Sequence, residues 1–390
     1  MLAVTPSDPI PIVVGQPHGA GQPILPAVIA TMAARDVAPW SVDIVSHTMG
    51  WWSDGPATRA YRSLLGGVPI AAHRSVYLKV RIRPTDFPDA VARRGGDGPG
   101  ALRTALWCVR RLRNRLSENG VLARPLNAAE IADLTASFAD RSGVDGSSTY
   151  EWVGRDRDSL AALIAAPGTV DAASTSLTLQ LVGGPAGPRL RGTVRDGGGP
   201  SAARSGNHDL RPVTDDDPGF LTPEQTASLT HVALPVAGDG QVIGADPSGA
   251  PVAFRLAGPN IPQAHVIGDD TLVRQVVVRL AALGVPVAIA SDNPQRWERL
   301  AMAIGGGLVT IGQQRRPARV LLDDTAAGEV SALPGSTLLR RHADTSALTV
   351  PGPLLRQDRA TGTVVVRGAD RSATARLVST AAERTLTEVD

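Results

Sequence analysis

The chain has 390 residues, 43% of them hydrophobic but only 3% aromatic, so its cores must be built from Ala, Val, Leu and Ile, and its length favours two domains of ordinary size. Of 39 basic residues all but Lys79 are arginine, and a formal net charge of +2 implies neither a strong field for nucleic acid nor a polybasic membrane anchor. The single cysteine, Cys108, excludes an internal disulfide and a cysteine-rich metal site, and reads as a small buried hydrophobe.

Residues 1–22 are rich in Pro and Gly and read as irregular, with Ile12–Val14 as a short strand. A helix over 24–34 follows; it is the longest apolar run, yet too short to span a bilayer and interrupted by Pro26. With no secretory signal peptide either, a soluble chain is expected. Val42–Ser46 reads as a strand, and the aromatic pair Trp51-Trp52 falls at a turn, where it either marks an interface or is buried in a chain short of aromatics. A short helix over 56–65 precedes Ser75–Arg83, in which Val76, Leu78, Val80 and Ile82 alternate with polar neighbours as in a half-buried strand.

A long amphipathic helix is predicted from Gly98 to Asn119. Leu102, Leu106, Val109, Leu112 and Leu116 form its apolar stripe, and Arg103, Arg110, Arg113 and Arg115 cover much of the rest. Asn119-Gly120 supplies the stop, and Asn127 to Glu130 reads as a capping box opening the next helix. Two strands, Ser174–Val182 and Arg189–Arg195, flank a breaker-rich turn, and 196–222 reads as a linker or long loop.

The clearest organisation lies at about 264–312, where three short apolar runs alternate with two segments of helical periodicity. Asp270 is suited to cap the first helix, Gly284 to end it, and Asn293 with Pro294 to open the second. This pattern predicts a parallel βαβαβ kernel. Strands at Arg319–Leu322 and Thr363–Arg367 follow, and the tail from Ser372 has helix-forming composition. The reading is thus α/β in two domains, 1–195 and 223–390, joined by 196–222.

Signatures of chemistry are sparse. The kernel's first turn has one glycine, Gly268, and two acids, so neither a dinucleotide fingerprint nor a Walker loop is present. Asp269-Asp270, Asp323-Asp324 and Asp215-Asp216-Asp217 are the carboxylate groups that would suit a divalent ion, and Asp323-Asp324 ends a predicted strand at the favourable edge of an α/β sheet. Adjacent acids there also serve as caps and solvated turns, and no cofactor or metal is implied. The seven histidines are scattered, and no Gly-x-Ser-x-Gly elbow exists. The run Arg110 to Arg115 reads either as a solvated face or as a contact for an acidic partner, with no aromatic interleaving to suggest nucleic acid.

The order of Val76–Arg83, the long Ala/Leu/Arg helix, Gly120–Glu130, the hairpin at Ser176 and Leu190, and the kernel segment from Val276 to Gly284 resembles EccE, a subunit of the type VII (ESX) secretion membrane complex of actinobacteria. The resemblance implies a non-enzymatic scaffold at the inner membrane, with its domain on the cytoplasmic side and with EccB, EccC and EccD type subunits as partners. Family members usually begin with two transmembrane helices that this sequence lacks, so attachment runs through partners or through helices absent from this chain. Trp51, Trp52, Arg110 and Arg113 are then the candidate partner contacts, and Asp323 with Asp324 the metal site of the alternative, a sugar-nucleotide-dependent transferase.

Overall fold

The computed structural model describes residues 1–5, 12–13, 21–34, 36–51, 54–68, 70–132, 134–135, 148–165, 173–197, 209–213, 219–258, 261–312, 318–326, 330–331, 336–342, 350–368 and 371–388. Helices and strands are both abundant, as an α/β composition requires, but most of the described strand pairings are antiparallel. Two compact units emerge, each assembled from separate stretches of chain.

The first unit comprises Met1–Thr5, Gly19–Thr48 and Arg74–Ala237. Its strands are β1 (Leu2–Thr5), β3 (Ser41–Met49), β4 (His73–Arg81), β5 (Leu122–Pro125), β6 (Ser148–Trp152), β7 (Ser174–Val182), β8 (Arg189–Gly197) and β9 (Leu210–Pro212), while β2 (Ile12–Val13) belongs to the second unit. They lie in the order β5-β1-β4-β3-β7-β8-β6-β9. The alternation read in β4 holds, with Val76 and Leu78 fully buried. Across the middle of the sheet a polar row fixes register: Arg81 grips Asp43 at 2.8 and 3.3 Å, Gln180 donates to Asp43, and Arg191 donates to Gln180. Within 196–222 the chain forms β9, paired with β6, and Thr222 caps a short helix through a full capping box.

Helices α1 (Ile24–Met32), α3 (Pro88–Arg93) and α4 (Asp97–Glu118) accompany this sheet. The predicted stripe of α4 is corrected. Gly100, Thr104, Cys108, Leu112 and Leu116 are buried, whereas Leu102 and Leu106 stand 62% and 47% exposed. Close approach of α3 decides the matter: a Cβ at Gly100 would lie 2.5 Å from the Val91 carbonyl oxygen, so small residues face α3 and the leucines at 102 and 106 turn away. Leu112 and Leu116 join the main core with Ile24, Leu25 and Val28. The stop is as read, with Gly120 at φ 74° and the Val121 amide returning to the Leu116 carbonyl.

The second unit comprises Pro6–His18, Met49–His73 and Gly238–Asp390. It holds β2, β10 (Gln241–Ala245), β11 (Pro251–Phe254), β12 (Gln263–Ile267), β13 (Val287–Ser291), β14 (Val309–Ile311), β15 (Val320–Asp324), β16 (Thr337–His342), β17 (Leu354–Asp358), β18 (Thr363–Arg367) and β19 (Ser372–Leu377). The order is β14-β13-β15-β16-β12-β17-β18-β19-β10-β11-β2. Pairings from β14 through β17 are parallel. The expected βαβαβ kernel is nonetheless not realised as three neighbouring strands, because β15 and β16 separate β12 from β13 within the same sheet. The start of each is buried, Val320–Asp323 and Thr337–Leu339, and they take the centre, while β14, three residues long, takes the edge.

With α2 (Pro56–Leu65) before them, the next helices are α5 (Arg157–Ala165), α6 (Pro223–Ser228), α7 (Asp270–Ala282), α8 (Gln295–Ile304) and α9 (Ala381–Thr387). Asp269 rather than Asp270 caps α7, accepting from the Leu272 amide at 2.9 Å, and α8 opens at Pro294 with no side-chain cap from Asn293. The tail expected to be helical from Ser372 forms β19 before α9. α7 is apolar on nearly every side and lies among α2, α8 and α9, as a helix without a solvent face must.

Arg279 is the charge inside that core. Its Nε and Nη2 donate to both oxygens of Glu383 at 2.6 and 2.8 Å, Nη1 to the carbonyls of Val242 and Ile243, and Nη2 also to that of Val378. Both residues are about as buried as a side chain can be, at 2% and 1% exposed. Arg279→Ala is expected to destabilise the second unit by about 3–5 kcal/mol, because it strands the Glu383 carboxylate. Chemical denaturation of the two variants, with Glu383→Gln as the second, checks this; midpoints equal to the parent chain's would contradict it.

Candidate functional site

Two places collect the residues that the sequence singled out. The first is the outward face of α4. Leu102, Leu106, Arg110 and Arg113 follow one another at four, four and three residues, so they share one stripe of the helix. All four are exposed. Arg110 and Arg113 have no hydrogen-bond or ion-pair partner among the described residues, in contrast to Arg111, which pairs with Asp36 at 2.5 Å and lies over Trp107. The other side of the helix is closed: Cys108 packs with Val37 and Ala90, and burial pushes its thiol up to about 11, which leaves it protonated and inert.

Trp51, another of the candidate contacts, is not exposed. It is buried, with the Arg62 guanidinium 4.7 Å above its ring, so of the two readings of the aromatic pair burial is the one realised for Trp51. Trp52 lies outside the described residues, as does the carboxylate run Asp215-Asp216-Asp217.

The second place is the carboxyl edge of the parallel strands, where the sheet brings Asp270, Asp323 and Asp324 near Arg296, Arg340 and Arg341. Asp324 accepts from Ser291 at 2.7 Å, Trp297 Nε1 at 2.8 Å and Arg341 at 2.7 Å. Burial works to raise its carboxyl, but those bonds outweigh it and hold the group below the ordinary carboxylate value. Arg341 also reaches Asp270, and Arg296 stands 2.9 Å from Asp270 and 3.6 Å from Asp324. Asp323 is buried and accepts from the amide and hydroxyl of Thr325. The paired carboxylates are therefore taken by guanidinium, hydroxyl and indole donors; among the described residues no group of three or more His, Cys, Asp or Glu is placed to hold a metal ion.

One feature of this edge escaped the sequence. His265 on β12 and His342 on β16 hydrogen-bond ring to ring at 2.9 Å, their rings stacked. Strand β16 was not foreseen, so nothing local signalled that histidines 77 positions apart would meet. Burial, and next the neighbouring His342, push His265 down to about 4.

Comparison with known proteins bears on the first place. The family model described as type VII ESX secretion system translocon, EccE, matches residues 70–162, which contain β4, α3, α4, β5, β6 and most of α5. The chain is also similar to ESX-1 secretion system protein EccE1 of Mycolicibacterium smegmatis, 24% identical over 281 residues that cover 67% of this chain and 55% of that protein. The chain thus spans about half the length of the curated relative it matches. Both findings show the resemblance to EccE read from the residues.

The His265–His342 pair has a consequence for pH. A histidine ordinarily titrates near 6.5, so at lower pH the unfolded chain binds a proton that folded His265 refuses until about 4. Its contribution to stability is complete above about 6.5 and is lost as the pH falls from there towards 4. Denaturation midpoints measured across that range are expected to fall less steeply for His265→Gln than for the parent chain; equal slopes would contradict the assignment.

Proposed function

We propose that this chain is a non-enzymatic structural subunit of a type VII (ESX) secretion complex at the actinobacterial inner membrane, acting through protein–protein contacts. The EccE resemblance supports the class of machine. The observation that carries the mode of action is the outward face of α4, inside the matched segment, which offers two exposed leucines and two arginines without a partner among the described residues. Monomeric surfaces tolerate such residues singly, but an aligned set is the mark of a contact surface. EccB, EccC and EccD type subunits are the proposed neighbours, reached from the cytoplasmic side. Among the described residues no helix is long and apolar enough to cross a membrane, so attachment is proposed through partners or through segments outside this chain.

The transferase alternative draws no support from the carboxyl edge. A divalent ion and a sugar diphosphate would need the oxygens of Asp323 and Asp324 that Thr325, Ser291, Trp297 and Arg341 already engage.

Affinity purification of the tagged chain from detergent-solubilised membranes, read by mass spectrometry, tests the proposal. Secretion subunits are expected to co-purify in one large particle. A chain recovered with none of them would overturn the scaffold reading.

A further inference from the structure

Along α4 the exposed stripe changes character from one end to the other. Leu102 and Leu106 occupy consecutive turns of its first half, and Arg110 and Arg113 the next turns. At about 1.5 Å per residue the four span roughly 16 Å, the length of about three helical turns. No acid lies within the stripe, because the helix carries acids only at its two ends, Asp97 and Glu118. The arginine beside the stripe, Arg111, has found an acid in its own fold, whereas Arg110 and Arg113 have none among the described residues.

Resting on the reading of the chain as a contact subunit, we propose that this stripe docks an amphipathic helix of a partner protein that presents apolar side chains to Leu102 and Leu106 and acidic ones to Arg110 and Arg113. Two helices pack by setting side-chain ridges into grooves over a few turns, and this stripe has the required length. Buried on docking, the leucines at one end supply the apolar contact; the arginines at the other set polarity and register, since the reverse orientation places leucine against carboxylate.

Other occupants fit less well. A helix lying on a bilayer needs an apolar stripe along its whole length with cations at its flanks, and here the cations replace the leucines after two turns. A second copy of the chain meeting this one about a twofold axis would set leucine against arginine, or arginine against arginine, with no acid in the stripe to answer them.

The test places the photoreactive residue p-benzoylphenylalanine at Leu106 of the full chain, irradiates cells and sequences the cross-linked peptide, alongside purification of the tagged chain. The expected cross-link falls in an acidic amphipathic helix of another protein. Its yield should drop at least tenfold in Arg110→Glu/Arg113→Glu, persist in Arg110→Lys/Arg113→Lys and weaken with added salt. An undiminished cross-link in the glutamate variant, a cross-link to a second copy, or one to lipid would overturn the proposal. Recovery of secretion subunits together with such a result removes this docking mode and leaves the scaffold reading standing. A cross-link of the expected kind without secretion subunits does the reverse.

Discussion

Arg279 presents five N–H donors from a fully buried position, and each is met: two by Glu383, two by the carbonyls of Val242 and Ile243, one by that of Val378. Taking a guanidinium and a carboxylate out of water is costly, and only geometry of this completeness offsets it. The consequence is positional. α7, β10, the residue following β19 and α9 are held around a single group, and Tyr61 of α2 closes the same region by accepting the Val242 amide, its phenol pushed up to about 12 by burial. Apolar packing by Val, Leu and Ile is tolerant of small shifts; a five-bond guanidinium is not, so it specifies one arrangement among many that the apolar core would accept.

The same logic separates the arginines that build the fold from those left over. Arg81 and Arg191 lock the middle strands of the first unit through Asp43 and Gln180, and Arg296 and Arg341 close the carboxyl edge of the second over Asp270 and Asp324. In an open α/β sheet that edge is where ligands gather. Here it is occupied by the protein's own ion pairs, and burial lowers the pKa of both histidines of the pair beside it. Among the described residues Arg110 and Arg113 join no such network, and they stand next to leucines that face water, a combination of unused charge and exposed apolar surface that supports the proposed contact face.

Much of the secondary structure was legible because its causes are local. The Ser174–Val182 strand follows from alternation and Thr363–Arg367 from its run of valines, the end of α4 from Asn119-Gly120, and the Asn127–Glu130 capping box is realised in reciprocal bonds of 2.9 Å. What failed to show has non-local causes. The buried face of α4 is chosen by α3 pressing against Gly100, which no spacing of leucines reveals. Strand β16 carries Arg340 and Arg341 in its sequence and hides its central place. Asp270, Asp324 and their arginines meet only because β15 and β16 insert between strands that are consecutive in the chain. The candidate contact at Arg110 and Arg113 was visible as charge, but the leucines that give it an apolar half were assigned to the core.

In an intact type VII assembly containing this chain, a cryo-electron microscopy map resolved to side chains shows directly what lies against α4. The stripe from Leu102 to Arg113 is expected to be covered by a helix of a neighbouring subunit, with carboxylates at the two arginines. A stripe open to solvent in the complete particle would contradict it.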